Sequence, residues 1–253
     1  MTMGVGSGGP SVGNWQRFLN DQRMADAQDH PLVEDERYGA RTQFATRRWQ
    51  FRENLPQSGR VDALDLSRAK AQGFIPFVQA KHFTPVWPSR RLLDSVVIHT
   101  MEYPERPTGA EWCADFFAGR NGMTAPKASA HFCIDQDSIV QCVRTMDVAW
   151  HAPGANHNGV GIEHVGYAKQ SAKEWEDEAS KAVLDRSARL TAKICKEHGI
   201  PVRKLTPDEL KRGERGICGH HDVTLGFPGP GRTHWDPGPS FPWERYLSLV
   251  AAN

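Results

Sequence analysis

The chain has no apolar run approaching the ~20 residues of a membrane-spanning helix, which excludes a helical integral membrane protein. It has no excess of one charge. With 31 Lys and Arg against 30 Asp and Glu, its formal net charge is +1, so neither nucleic acid nor a membrane surface is expected as a partner. Its five cysteines, at 113, 133, 142, 195 and 218, form no C-x-x-C pair. A disulfide framework or a cysteine zinc knuckle is therefore not suggested, and synthesis in a reducing cytoplasm is the expectation. The opening "MTMGVGSGGPSVGNW" has neither a basic n-region nor an apolar h-region, so no secretory signal is expected. There is no H-E-x-x-H helix motif. What remains is ordinary globular composition, 39% hydrophobic and 24% charged, in a length of 253 residues that suits one medium and one small domain.

Periodicity divides the chain. Residues 1–11, rich in Gly and Ser, are expected to be flexible. Residues 12–74 read as three helices: one with Trp15, Phe18 and Leu19 on one face, one after the Tyr38-Gly39 turn, and a short third. The proline-punctuated stretch 75–89 reads as a linker, and 90–253 as a second domain. There "LLDSVVIHT" is a buried strand ending at His99, and "GAEWCADFFAGR" a helix with Trp112, Phe116 and Phe117 inward. "ASAHFCIDQDSIVQCV" is a hairpin turning at Asp135–Asp137, and "GVGIEHVGYA" a strand carrying Glu163. A long helix is expected to start at Ser171, capped by Glu174, and to end at Gly199. Strands alternating with helices imply an α/β (α+β) domain with a central mixed sheet flanked by helices.

Three side chains stand at element ends, where functional groups tend to be displayed: His99, His220 after Gly219, and Asp236 opening "DPG". Two His and one Asp are the donor set of a zinc hydrolase, which takes three protein ligands and leaves one position open. Singly, a strand-end His serves as well in a core, and "DPG" as a plain turn, so spacing alone leaves both readings open. His234, two residues before Asp236, shares its side of an extended segment.

The order of segments adds a resemblance. Trp15-Gln16, Asp35, Tyr38-Gly39, Thr42, Ala45, Trp49-Gln50, Leu55, Gly59, Val61 and Asp62 resemble the small peptidoglycan-binding domain of cell-wall hydrolases. "VVIHT", "SAHFCIDQDSIVQCV", "VAWHAPGANHNGVGIEHVG", "GHHDV" and "THWDPGPSFPW" resemble, in that order, the type 2 N-acetylmuramoyl-L-alanine amidases, which share their fold with peptidoglycan recognition proteins. The resemblance implies zinc (Zn2+) on His99, His220 and Asp236, with His221 a neighbouring competitor that the G-H-x-D-V register disfavours. It implies a catalytic Glu163, and His234 at the oxyanion position where the family commonly has Lys. It also implies substrate contacts from Trp150, His151 and Asn158. Ala130 stands where some relatives carry a catalytic Tyr, so His131 is expected to be structural or cleft-lining. The implied activity is cleavage between N-acetylmuramic acid and L-alanine in bacterial peptidoglycan. The chain is expected to act as a monomeric endolysin that reaches the cell wall after a holin opens the membrane. The alternatives are a catalytically silent peptidoglycan recognition module and a zinc peptidase acting within the stem peptide.

Overall fold

A computed structural model describes residues 2–86, 91–230 and 232–253. The expected linker's residues 87–89, the expected domain start at residue 90 and Gly231 lie outside the described residues. The chain forms two compact units, Met1–Phe77 and Val78–Asn253.

The first unit is built on α1 (Pro10–Asp21), α2 (Ala40–Arg52) and α3 (Ala63–Ala71). Its centre is aromatic. Trp15 and Trp49 meet edge to face at 5.3 Å, and Phe18 and Phe74 close around them. Polar groups buried beside these rings are paired. Trp15 Nε1 donates to Thr46 Oγ1 at 2.9 Å, and the Tyr38 hydroxyl donates to the same oxygen at 2.7 Å. Asp62 and Asp65 form a reciprocal cap on α3. Residues 2–11 are not a free tail. Met3 is buried and exchanges backbone hydrogen bonds with Val61, and α1 already begins at Pro10. The Gly- and Ser-rich composition misleads here because one buried methionine and a strand-like bridge suffice to fix the segment.

The second unit contains β1 (Phe83–Thr84), β2 (Ser95–Thr100), α4 (Gly109–Ala118), β3 (Phe132–Ile134), β4 (Ile139–Gln141), β5 (Val148–Ala149) and β6 (Gly159–His164). It continues with α5 (Glu178–His198), α6 (Pro207–Lys211), β7 (Gly216–Gly219), α7 (His220–Gly226) and α8 (Trp243–Ala251). Five strands form one mixed sheet in the order β4-β3-β6-β2-β7. Only the β3–β4 hairpin is antiparallel within it. Every residue of β2 is buried, as expected of a parallel strand covered on both faces. Side chains alternate between the two faces. Val160, Ile162 and His164 of β6 share one face, and from it His164 reaches Ser187 on α5. Gly161 and Glu163 share the other face with Val97 and His99.

Three expectations need correction. Residues 78–86 are not a linker: Val78 and Ala80 donate to Gln141 and Cys142 carbonyls, and β1 pairs with β5. The Ser171–Glu174 cap exists, but it closes a single 3-10 turn at Glu174–Glu176. α5 starts afresh with Asp177 accepting from Ser180 N at 2.8 Å, and it ends at left-handed Gly199 as expected. Of the α4 aromatics only Phe117 is fully buried. Trp112 is half-buried and stacks on Tyr103 at 4.0 Å and on Phe116 at 5.5 Å.

A buried polar chain ties sheet to helices behind these strands. His164 contacts the His99 carbonyl at 2.9 Å and Ser187 Oγ at 2.6 Å. The Tyr246 hydroxyl then bridges Ser187 and Thr191 at 2.8 and 2.7 Å. Tyr246→Phe leaves those two hydroxyls short of a partner in a buried place. It should cost about 1–3 kcal/mol, read as a lowered urea midpoint at unchanged slope.

Candidate functional site

The carboxyl ends of parallel strands are where open α/β sheets place ligands. Here β2 and β6 run in register, pairing His99 with Glu163, and both side chains leave the same face. β7 pairs with β2 as far as Gly219 opposite Ile98. The next residue, His220, therefore comes level with His99 at the first position of α7. The chain then returns at Asp236.

Two glycines make that return possible. A Cβ on Gly219 would lie 2.6 Å from Pro237 Cδ, so only glycine lets the Asp236-Pro237 turn rest on the end of β7. Gly238 has φ +90°, and a Cβ there would lie 1.8 Å from the Ala168 carbonyl oxygen. A hydrogen bond from His221 N to Asp236 O at 2.8 Å fixes the turn to α7.

Three buried groups converge as a result. His99 Nδ1 lies 3.1 Å from Asp236 Oδ2, and His220 Nδ1 lies 3.3 Å from Asp236 Oδ1. The candidate ligand atoms of His99, His220 and Asp236 all fall within 4.8 Å of one another, close enough to hold one metal ion. His234 joins from outside: its ring stacks on His220 at 4.1 Å, and its Nδ1 lies 3.6 Å from Asp236 Oδ1. His221 is exposed, with its Nδ1 turned to the His234 carbonyl, away from this group.

The electrostatics follow from this packing. Burial alone would raise the Asp236 carboxyl. Hydrogen bonding to His220, His234 and His99 outweighs burial and holds it far below the usual carboxylate range. His220 is pushed down to about 4 by burial, against the pull of Asp236. His234 is raised by its bond to Asp236. Glu163 is pushed up to about 7 by burial, against the attraction of His99, and its Oε2 is buried with no hydrogen-bond partner. Glu163 is also one of the residues lining a hollow of about 170 Å³, with Thr100, Met101, Trp112, Cys113, Phe116 and Phe117.

The remaining sequence candidates divide. Trp150 is 37% exposed, donates to Thr84 Oγ1 at 3.0 Å and stacks on His82 at 5.8 Å, so one end of it is open to solvent. His151 is buried and faces His99, with Nδ1 3.1 Å from His99 Nε2. Asn158 is not at the site. It precedes β6, at the opposite strand end from Glu163, and its amide donates to Asp94 at 3.1 Å. His131 is structural: its Nδ1 accepts from Gly161 N, and burial pushes it down to about 3.

Sequence reasoning missed Asn156, whose Oδ1 receives both His151 N and Ala152 N. It also passed over Gly161, where a Cβ would lie 2.5 Å from the His151 ring. A glycine inside a strand signals a close approach, and that signal was present in "GVGIEH".

Comparison with known proteins bears on this constellation. A family model described as N-acetylmuramoyl-L-alanine amidase matches residues 89–239. N-acetylmuramoyl-L-alanine amidase A of Achromobacter lyticus is 30% identical over 171 residues, 62% of this chain and 82% of that protein. The 1,6-anhydro-N-acetylmuramyl-L-alanine amidase AmpD of Haemophilus influenzae is 30% identical over 191 residues, 68% of this chain and 90% of that protein. Among solved structures, a selenomethionine AmpD derivative superposes with TM-score 0.51 at 23% identity, covering 70% of this chain and 94% of that one. That likeness speaks for the fold.

Gly238→Ala tests the turn that carries Asp236. Its left-handed backbone alone should cost about 1–3 kcal/mol, and the Ala168 contact adds to that. The expected readout is a lower denaturation midpoint together with displaced Asp236 resonances, whereas an alanine tolerated at wild-type stability would refute this account of the turn.

Proposed function

Because the chain belongs to the N-acetylmuramoyl-L-alanine amidase family, we propose that it is a zinc-dependent hydrolase of the amide joining N-acetylmuramic acid to L-alanine in peptidoglycan. One observation carries the reading. Two imidazoles and a carboxylate converge on one point, beside a strand-borne carboxyl with one buried oxygen that has no hydrogen-bond partner. The donor set fits zinc, which takes imidazole nitrogen and carboxylate oxygen and, in catalytic sites, three protein ligands.

His99, His220 and Asp236 would hold the ion. When bound, it supplies a Lewis acid for the amide oxygen and a water acidified toward neutrality. The chain's own groups do the rest. Glu163, raised toward neutrality by burial, is suited both to take a proton from the attacking water and to return it to the leaving nitrogen. His234, held positively charged more readily by Asp236, would donate to the amide oxygen as it gains charge. The products are the lactyl carboxylate and a peptide with a free L-alanine amine. Trp150, open on one face and backed by His82, offers a flat apolar surface to a sugar ring.

The same reading extends to the chain's role. The first unit is a three-helix domain that would hold the enzyme on the wall and raise local substrate concentration. Among the described residues, the only convergent metal-binding set lies in the second unit. Wall lysis as an endolysin fits a binding module joined to one hydrolytic unit.

Two measurements check this. Purified protein should contain about one zinc per chain, and Glu163→Gln should lower turnover about 10²–10⁴-fold while keeping that zinc. Active protein free of zinc, or a Gln variant as fast as wild type, would overturn the mechanism. Separately, residues 1–77 should sediment with insoluble peptidoglycan without releasing fragments. A unit that stays in the supernatant would remove the anchoring role.

A further inference from the structure

His151 is seated more firmly than a substrate contact requires. Its backbone N–H donates to Asn156 Oδ1 at 3.0 Å, and its ring fills the space that a Cβ on Gly161 would occupy. The ring meets His99 edge to face at 5.2 Å and an interplanar angle of 88°. Its Nε2 faces the Gly159 carbonyl at 3.4 Å, and its Nδ1 faces His99 Nε2 at 3.1 Å.

A carbonyl oxygen can only accept, so His151 Nε2 carries the hydrogen in that contact. Neither ring nitrogen faces a carboxylate, and the residue is buried, so nothing supports a second hydrogen on Nδ1. Nδ1 is therefore the acceptor, and His99 Nε2 donates to it. When neutral, His99 then presents Nδ1 with a bare lone pair, 3.1 Å from Asp236 Oδ2. For the neutral ring, two acceptors at that separation repel unless a cation, a proton or a metal ion, lies between them. The opposite tautomer would place a hydrogen on His99 Nδ1 and close an ordinary His–Asp hydrogen bond that requires no metal.

We infer that His151 is a positioning residue that transmits the fixed Gly159 carbonyl into a choice of tautomer at His99, turning the Nδ1 lone pair toward the metal position. The assignment rests on the metal reading above. It replaces a substrate contact by a contact that acts through a ligand, in keeping with the general coupling between a metal-bound imidazole and the partner of its other nitrogen.

The test compares His151→Ala, His151→Leu and His151→Asn in the full chain. An Asn Oδ1 lies near the place of the imidazole Nδ1 and can accept from His99. Zinc affinity, read by competition with a chelating dye, should weaken about 10–100-fold in Ala and Leu and return to within about threefold of wild type in Asn. KM for soluble N-acetylmuramoyl-tripeptide at saturating zinc should not move. Nitrogen-15 spectra of the metal-free protein at alkaline pH should show His99 with its hydrogen on Nε2 in wild type and on Nδ1 in the Leu variant. A raised KM at wild-type zinc affinity overturns the inference in favour of a substrate contact. Equal loss in Asn and Leu with an unchanged His99 tautomer overturns it in favour of plain packing. Absence of zinc binding by the wild type defeats the metal reading instead, and the metal-free spectra still decide what His151 does to His99.

Discussion

A single buried carboxylate, Asp236, holds three imidazoles in place, and most of the surrounding architecture serves to bring it there. Taking a carboxylate out of water costs several kcal/mol unless close partners compensate. Here one oxygen faces His99 and the other faces His220 and His234. The group is thus stable only while the turn, the two strands and the first residue of α7 all hold their positions. His234 differs from the other two histidines in being largely exposed, so it can meet a substrate while remaining tied to the same carboxylate.

Backbone clearance sets these positions more than side-chain packing does. Parallel register delivers His99 and Glu163 to the same height on the same face. Three glycines then remove matter where elements must touch: Gly161 under the His151 ring, Gly219 under Pro237, and Gly238 against Ala168. Each contact lies well inside the distance any side chain would tolerate. Behind the sheet, the His164–Ser187–Tyr246 chain holds α5 and α8 to the carbonyl of His99 itself. The site is therefore braced from both faces of one strand.

Much of this was legible in the sequence. "SVVIHT" announces a covered strand through its β-branched run, and the alternation of "GVGIEH" puts Glu163 on the face opposite Ile162. His99, His220 and Asp236 could be singled out because each stands beside a break in regular structure. Asn158 could not be placed, since its distance from the site depends on which end of β6 it precedes, a matter of sheet direction rather than local pattern. The start of α5 was misplaced because Ser171 and Glu174 do form a cap, but over a turn that Asp177 interrupts. Met3 looked like part of a loose tail because its partner, Val61, lies far along the chain and local composition carries no trace of it.

The spacing of His99 and Asp236 also governs when the candidate site can exist. His99 and Asp236 are separated by 137 residues, and the turn bearing Asp236 follows every strand of the sheet. A ribosome emits the chain from its N-terminus, so the aromatic three-helix unit can fold while the second unit is still being made. The candidate metal site assembles only when the sheet is complete and the turn bearing Asp236 has docked on the end of β7. A growing polypeptide thus passes through a long interval in which its first unit can be native while the candidate site is still incomplete.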